Sequence, residues 1–287
     1  MPRGLDHIVH AVRDLDAAAE FYRRSGFTVG ARNRHEWGTH NYIVQFPGVF
    51  VELITIGEPE LIRVGAPGTF SFGAFTRDFL NREQGLAMLV LEGKGAADDA
   101  DAFRSAGIGD FKVFNFERAA KRPDGSPVKV AFSLAFATDT KAQDIGYFTC
   151  QQHHPENFWN PAFQKHPNGA TGIAGVIMVA ENPESHRHFL SAFSGVGDVK
   201  SGANGIAVET PRGAIQVLNP DAYRMQIGTE PPDLSRGARL AAIRFAVPDK
   251  TLLKDVLGKG GVAFSEHRGN VVAAPDVATG ATLIFGG

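Results

Sequence analysis

The 287-residue sequence predicts an α+β fold built from four βαβββ units. Two observations carry that expectation. Short apolar runs bounded by Gly, Pro and Asn recur in groups along the chain, as strands do. After the first run of each group comes a helical segment followed by a glycine, at Gly26, Gly107, Gly195 and Gly258.

In the first unit, LDHIVHAV (5–12) reads as a strand and DLDAAAEFYRR (14–24) as a helix. Asp14 is its expected N-cap, and Leu15, Ala18, Ala19 and Tyr22 share one face. Strands FTVGA (27–31), HNYIVQF (40–46) and VFVELITI (49–56) follow, broken by Gly38 and by Pro47-Gly48. The second unit repeats the order with GLAMLVLE (85–92), a helix through Ala100–Arg104, then VFNFE, VAFSLAF and IGYFTCQ. The third has IAGVIMVA (173–180), a helix over His186–Phe193, GIAVE and GAIQVLN. The fourth has RLAAIRFAV (239–247), a helix over Lys250–Leu257, then VAFSEH, NVVAAPD and ATLIFG. One such unit cannot cover both faces of its own sheet, so the units are expected to pair. Residues 1–170 then make one incomplete barrel around a cleft and residues 173–287 another, with the break near Gly169–Gly172.

Composition narrows the function classes. Apolar residues are 43% and charged residues 21%, with net charge -2 and scattered Lys and Arg, so no footprint for nucleic acid or an anionic membrane is present. Cys150 is the only cysteine, which excludes an internal disulfide and a CxxC metal knuckle. No apolar stretch has the length of a signal peptide or a membrane span, and a cytoplasmic protein is expected. There is no G-x-S-x-G elbow, Walker loop, G-x-G-x-x-G after a strand, or H-E-x-x-H. A small-molecule substrate is the partner these features leave, with a homodimer as the protein association to test.

The opening DHIVHAVRDLDAAAEFYRRSGF resembles the first strand and helix of the vicinal-oxygen-chelate superfamily, the glyoxalase, bleomycin-resistance and dioxygenase type. VFVELIT resembles its fourth strand, HEWGTHNYIVQF its glyoxalase-like members, and FTCQQHHPENFW a segment of hydroxyphenylpyruvate dioxygenase-like proteins. The resemblance implies two pseudo-barrels like those of glyoxalases and extradiol dioxygenases. It also implies that His7, seven residues before Asp14, and Glu52, inside the apolar fourth strand, ligate a divalent metal ion such as Zn, Ni, Mn, Fe or Co. Strand alternation agrees. His7 shares a face with Val9 and Ala11, and Glu52 with Phe50 and Ile54, so neighbouring strands bring imidazole and carboxylate together. A carboxylate in VFVELIT also needs a cation, a donor or solvent to be buried there.

Plainer readings stand beside these. A strand Glu commonly faces solvent or pairs with Arg or Lys, and a His in an apolar strand is commonly a hydrogen-bonded core residue. Laid on the other units, the His7 position falls on Gly85, Gly175 and Ala242, and the Glu52 position on Phe148, Gln216 and Ile284. A complete centre of the superfamily takes ligands from both paired units, so the set is short. His40, Gln151 and His153 are the further metal candidates. His40 alternates with Asn41, so only one of them faces inward. His10 is expected to pack beneath the helix, and His186 and His188 to be exposed. Asn41, Phe50, Phe148 and Trp159 are the expected substrate contacts. Two function classes remain open. One is a metal-dependent, lactoylglutathione lyase-like lyase or isomerase, with a substrate chelated through vicinal oxygens and Glu52 shuttling a proton. The other is a metal-free sequestering protein using the same cleft; a ring-cleaving dioxygenase relative is a further alternative.

Overall fold

The computed structural model describes residues 1–121 and 126–286. Sixteen strands among them form two eight-stranded sheets. The first sheet comprises β1 (Leu5–Ala11), β2 (Asn33–Arg34), β3 (Thr39–Phe46), β4 (Val49–Ile56), β5 (Gly85–Glu92), β6 (Phe114–Lys121), β7 (Pro127–Ala137) and β8 (Gly146–Gln152). Its order is β2-β3-β4-β1-β5-β8-β7-β6. The second comprises β9 (Gly172–Val179), β10 (Val199–Gly202), β11 (Gly205–Glu209), β12 (Ala214–Leu218), β13 (Arg239–Ala246), β14 (Ser265–His267), β15 (Asn270–Ala273) and β16 (Thr282–Gly286). Its order, β10-β11-β12-β9-β13-β16-β15-β14, repeats that of the first. In both, the first strands of two units lie antiparallel at the centre, and each pairs in parallel with the last strand of its own unit. This is the α+β architecture of paired βαβββ units.

Helix α1 (Leu15–Arg24) starts where expected, with the Asp14 side chain accepting from the Ala17 amide. Its counterparts are α3 (Ala96–Ser105), α5 (Arg187–Ser194) and α7 (Lys250–Lys259). Three more helices lie between the expected segments: α2 (Phe72–Leu80), α4 (Pro155–Phe158) and α6 (Pro220–Ile227). FTVGA is not a strand. Residues 27–32 run irregularly, tied to β3 through the Gly30 amide on the Ile43 carbonyl, and pairing begins only at Asn33. In the fourth unit the helix runs on through Gly258 and ends at Lys259, with Gly260 as its C-cap.

The outward faces of the two sheets share one core. Phe27 packs on Phe245 with ring centroids 4.9 Å apart, and Tyr147 on Phe189 at 4.6 Å. Each inward face has its own cluster, the first capped by Phe72 and Phe79 of α2 and the second by Ala222, Tyr223 and Ile227 of α6. His10 packs beneath α1, between the Tyr22 hydroxyl and the Thr279 carbonyl. His186 is not exposed: it is 2% accessible, with Nδ1 2.6 Å from Asp139 of the first half. Among the described residues no helix is long and apolar enough to cross a membrane.

Candidate active site

A cavity opens on the inward face of the first sheet, with about 610 Å³ of atom-free space counting the part that meets solvent. Its walls are mostly aromatic, and its polar groups are few: His7, His35, Asn41, Glu52 and Arg118. β1 and β4 are parallel neighbours with His7 opposite Phe50 and Val9 opposite Glu52. Alternation turns His7, Phe50 and Glu52 to the same side. The His7 ring lies flat on Phe50, centroids 4.3 Å apart at 12°, with Phe148 edge-on.

His7 Nδ1 is 2.6 Å from Asp6 Oδ1, and the other oxygen of this buried Asp6 accepts from Gln152 Nε2 at 3.1 Å. A carboxylate only accepts, so Asp6 places the imidazole proton on Nδ1 and leaves a lone pair on Nε2. That lone pair faces Glu52 Oε2 at 3.8 Å. The other oxygen, Glu52 Oε1, accepts from Asn41 Nδ2 at 2.5 Å, and Asn41 Oδ1 accepts from Asn33 at 3.0 Å. Two acceptors thus face each other across a gap too long for a direct hydrogen bond. The geometry asks for a proton, a donor or a cation between them.

His35 lies beside this pair, its Nε2 3.5 Å from Asn41 Nδ2 and its ring stacked on Trp37 at 4.5 Å. Burial, partly offset by Glu52, pushes its pKa down to about 4, so it is neutral at pH 7. Cys150 also lines the cavity. Burial and the nearby Asp6 and Glu52 raise its thiol well above the ordinary range, so it is not a thiolate nucleophile.

The structure therefore brings His7, Glu52, Asn41, Phe50 and Phe148 into one cavity. The other candidates lie elsewhere. His40 points out of the opposite face of β3, 3.3 Å from Glu58 and bonded by Arg32. Gln151 accepts from the Ala96 amide at the start of α3, and His153 lies over the far face of β7, 2.7 Å from Ser133 Oγ. Trp159 meets the outer edge of Phe50 at 5.9 Å but lines the groove outside the cavity. Sequence reasoning missed Asp6, His35 and Arg118. An acidic residue directly before the strand His was a usable signal for Asp6; Arg118 carried none.

The second unit supplies no matching donors. Register puts Val90 opposite Phe148 as Val9 is opposite Glu52, so the counterpart of His7 is Met88. The expectation of Gly85 was three residues off, because counting from the helix ignores the length of the strand end before it. Met88 and Phe148 both line the cavity. Among the described residues no three or more His, Cys, Asp or Glu side chains are grouped to hold a metal ion. For the two that converge, a 3.8 Å separation lies within the span of two ligands each about 2.0–2.2 Å from a shared ion. Asp6 behind His7 is the usual orienting partner of a ligating imidazole. The residues fit half of a protein-held centre and do not complete one.

Two sheets of this order make the paired βαβββ architecture, and solved structures of the same fold superpose along almost the whole chain. A hypothetical protein from Staphylococcus aureus matches with TM-score 0.66 and 13% identity, over 99% of this chain and 98% of that one. A mutant 4-hydroxymandelate synthase from Streptomyces coelicolor matches with TM-score 0.58 and 13% identity, over 99% and 92%. A Mn(II)-bound glyoxalase from Novosphingobium aromaticivorans matches with TM-score 0.56 and 11% identity, over 99% and 82%. At these identities the likeness is one of fold. The model of the glyoxalase-like domain matches residues 5–193, and the chain belongs to that family. No protein of curated function matches the sequence.

Proposed function

We propose that this glyoxalase-like protein is a lyase or isomerase that moves a proton on a small carbonyl compound bound in the N-terminal cavity. The observation that carries the reading is the Asp6–His7–Glu52 line, in which His7 Nε2 and Glu52 Oε2 face each other at 3.8 Å in a mostly aromatic cavity. Glu52 is the proton-transferring carboxylate. Asn41 holds one of its oxygens and leaves the other for the substrate. Glu52 takes the C–H proton next to the carbonyl and returns it to the neighbouring carbon, while His7 Nε2 takes the hydroxyl proton and returns it to the former carbonyl oxygen, with Asp6 orienting the ring and stabilising the transient imidazolium. The aromatic walls lower the local dielectric, which strengthens each of these interactions. Asn41, Phe50 and Phe148 contact the substrate body.

A second reading is favoured by the 3.8 Å separation and by Asp6 behind His7. In it His7 and Glu52 hold a divalent ion, with water and substrate oxygens completing its shell, and the ion supplies Lewis acidity to the chelated oxygens.

The test is proton exchange in heavy water, followed by NMR, on a panel of α-hydroxy and α-keto carbonyl compounds. Wild type should exchange a C–H next to the carbonyl, and Glu52→Gln and His7→Ala should each slow it by about 100-fold or more. Exchange on no compound, or exchange indifferent to both substitutions, would sink the proposal. Metal analysis after dialysis against Mn²⁺ or Zn²⁺ separates the two readings. A stoichiometric ion lost in both variants selects the second.

A further inference from the structure

Arg118 is a cation on the cavity wall with no hydrogen-bond or ion-pair partner among the described residues. It lies on β6, with Phe114 and Phe116 on the same face by alternation. Its guanidinium is mostly enclosed, and burial lowers its pKa despite the attraction of Glu52. It makes no hydrogen bond and no ion pair with any described residue. Glu52 cannot serve it directly. One carboxylate oxygen is taken by Asn41, the other is turned to His7, and Arg118 is not within ion-pairing distance. Of the residues that line the cavity with it, Ile43, Phe116, Phe132 and Phe158 offer no side-chain acceptor, and the polar Gln45 and Glu156 line only the outer groove. A guanidinium carries five N–H donors in a fixed fork, and enclosing it unpaired is costly. Trp37 adds a second unmet donor: its buried indole N–H has no partner, and its ring lines the same cavity. Arg118, Ile43 and Phe158 belong both to the inner cavity and to the wider outer groove, so the guanidinium sits at the neck between them.

We infer that Arg118 is the anchor for an anionic group of the substrate, and that the cavity takes an aromatic monocarboxylate. Its carboxylate pairs with the guanidinium at the neck, and its ring lies among the phenylalanines with the reacting end toward His7 and Glu52. A carboxylate matches the planar fork with two parallel hydrogen bonds, which makes the pairing selective as well as attractive. The negative charge of Glu52 favours the same polarity, since it repels a carboxylate from the inner end and leaves Arg118 as its place. The inference rests on this cavity being the substrate site, but not on proton transfer within it.

Binding is therefore read without turnover, by calorimetry, using benzoate, phenylacetate and 3-phenylpropionate, each against its own primary amide. For at least one pair the full-length protein should bind the acid about tenfold or more tightly than the amide. Arg118→Met should abolish that preference by weakening the acid much more than the amide, and Arg118→Lys should keep part of it. His7→Ala should retain it in full, so the acid preference and the proton-exchange result fail separately. An acid that never exceeds its amide, or a preference that survives Arg118→Met, overturns the inference. If Arg118→Met does not fold, the wild-type comparison and Arg118→Lys still decide. No binding by any of the six compounds also counts against it.

Discussion

His10 illustrates what a single buried imidazole imposes on the chain. It is fully buried, with the Tyr22 hydroxyl on Nδ1 and the Thr279 carbonyl on Nε2. Burial, partly offset by the bond to Thr279, lowers its pKa from 6.5 to about 4. In the unfolded chain the same ring gains its proton near 6.5, so between those values the unfolded state binds more protons. Stability is then fully present above about pH 6.5 and lost as pH falls toward 4, at about 1.4 kcal/mol per pH unit for one such group. His35, also lowered to about 4, adds a second slope of the same sign. Denaturant titrations from pH 7 to 4.5 should show it, and His10→Gln should flatten the dependence by about one group's share. A pH profile unchanged by that substitution would contradict the assignment. Glu52→Gln, by contrast, should leave folding almost untouched, since an amide oxygen still accepts from Asn41, and its cost should appear in proton exchange alone. The placement of His10 beneath α1 was legible from strand parity. The burial of His186 was not, because its partner Asp139 is 47 positions away and belongs to the other half.

At the scale of elements, the helices absent from the repeat matter most. α2 covers the inward face of the first sheet, with Phe72 packed against Trp37, Phe136 and Phe148. Phe72→Ala should cost about 3 kcal/mol or more and enlarge the cavity, because the surrounding aromatics cannot all collapse into the gap. Thermal unfolding reads the first effect. The second would appear as binding of bulkier aromatic acids than wild type accepts, and a variant of unchanged stability would show that α2 is not the cover. α6 does the corresponding work in the second sheet, where Tyr223 is fully buried and its hydroxyl donates to Thr282 Oγ1 at 2.9 Å. The segments that form α2 and α6 are short and lie between units, so periodicity within a unit had nothing to say about them. Their helicity is settled by the sheet they cover, since an isolated helix of this length is marginal in water.

Across the whole molecule, the halves are joined by a common core and by charge. Asp144, whose side chain is 2% exposed, takes Arg82 of the first half at 2.7 Å and Arg236 of the second at 2.8 Å. Arg239, 5% exposed, lies 3.6 Å from the same carboxylate and also pairs with Glu83. Asp144→Ala would remove the carboxylate that two half-exposed arginines share, while Arg239 keeps Glu83, and a loss of about 1.5–3 kcal/mol is expected. Because Phe27 and Phe46 pack directly on Phe245, the halves should unfold together, giving a single calorimetric transition in which van't Hoff and calorimetric enthalpies agree. Two resolved transitions would mean that the shared core contributes little.

The sequence by itself determined the order of elements, since apolar spacing and helix ends are local: four strand–helix–strand units, the Asp14 cap, and the parity that puts His7 and Glu52 on core-facing sides of their strands. Parity also settled that His40 and Asn41 take opposite faces, although not which of them was inside. Only the tertiary structure decided what those inward groups meet. Asp6 behind His7, the apolar Met88 and Phe148 where a second pair of donors would stand, and Arg118 aimed into an aromatic cavity all depend on strands far apart in the chain lying side by side. Register between such strands is set by the packing of whole faces, where a slip of one residue would invert every side chain, and no local pattern records it.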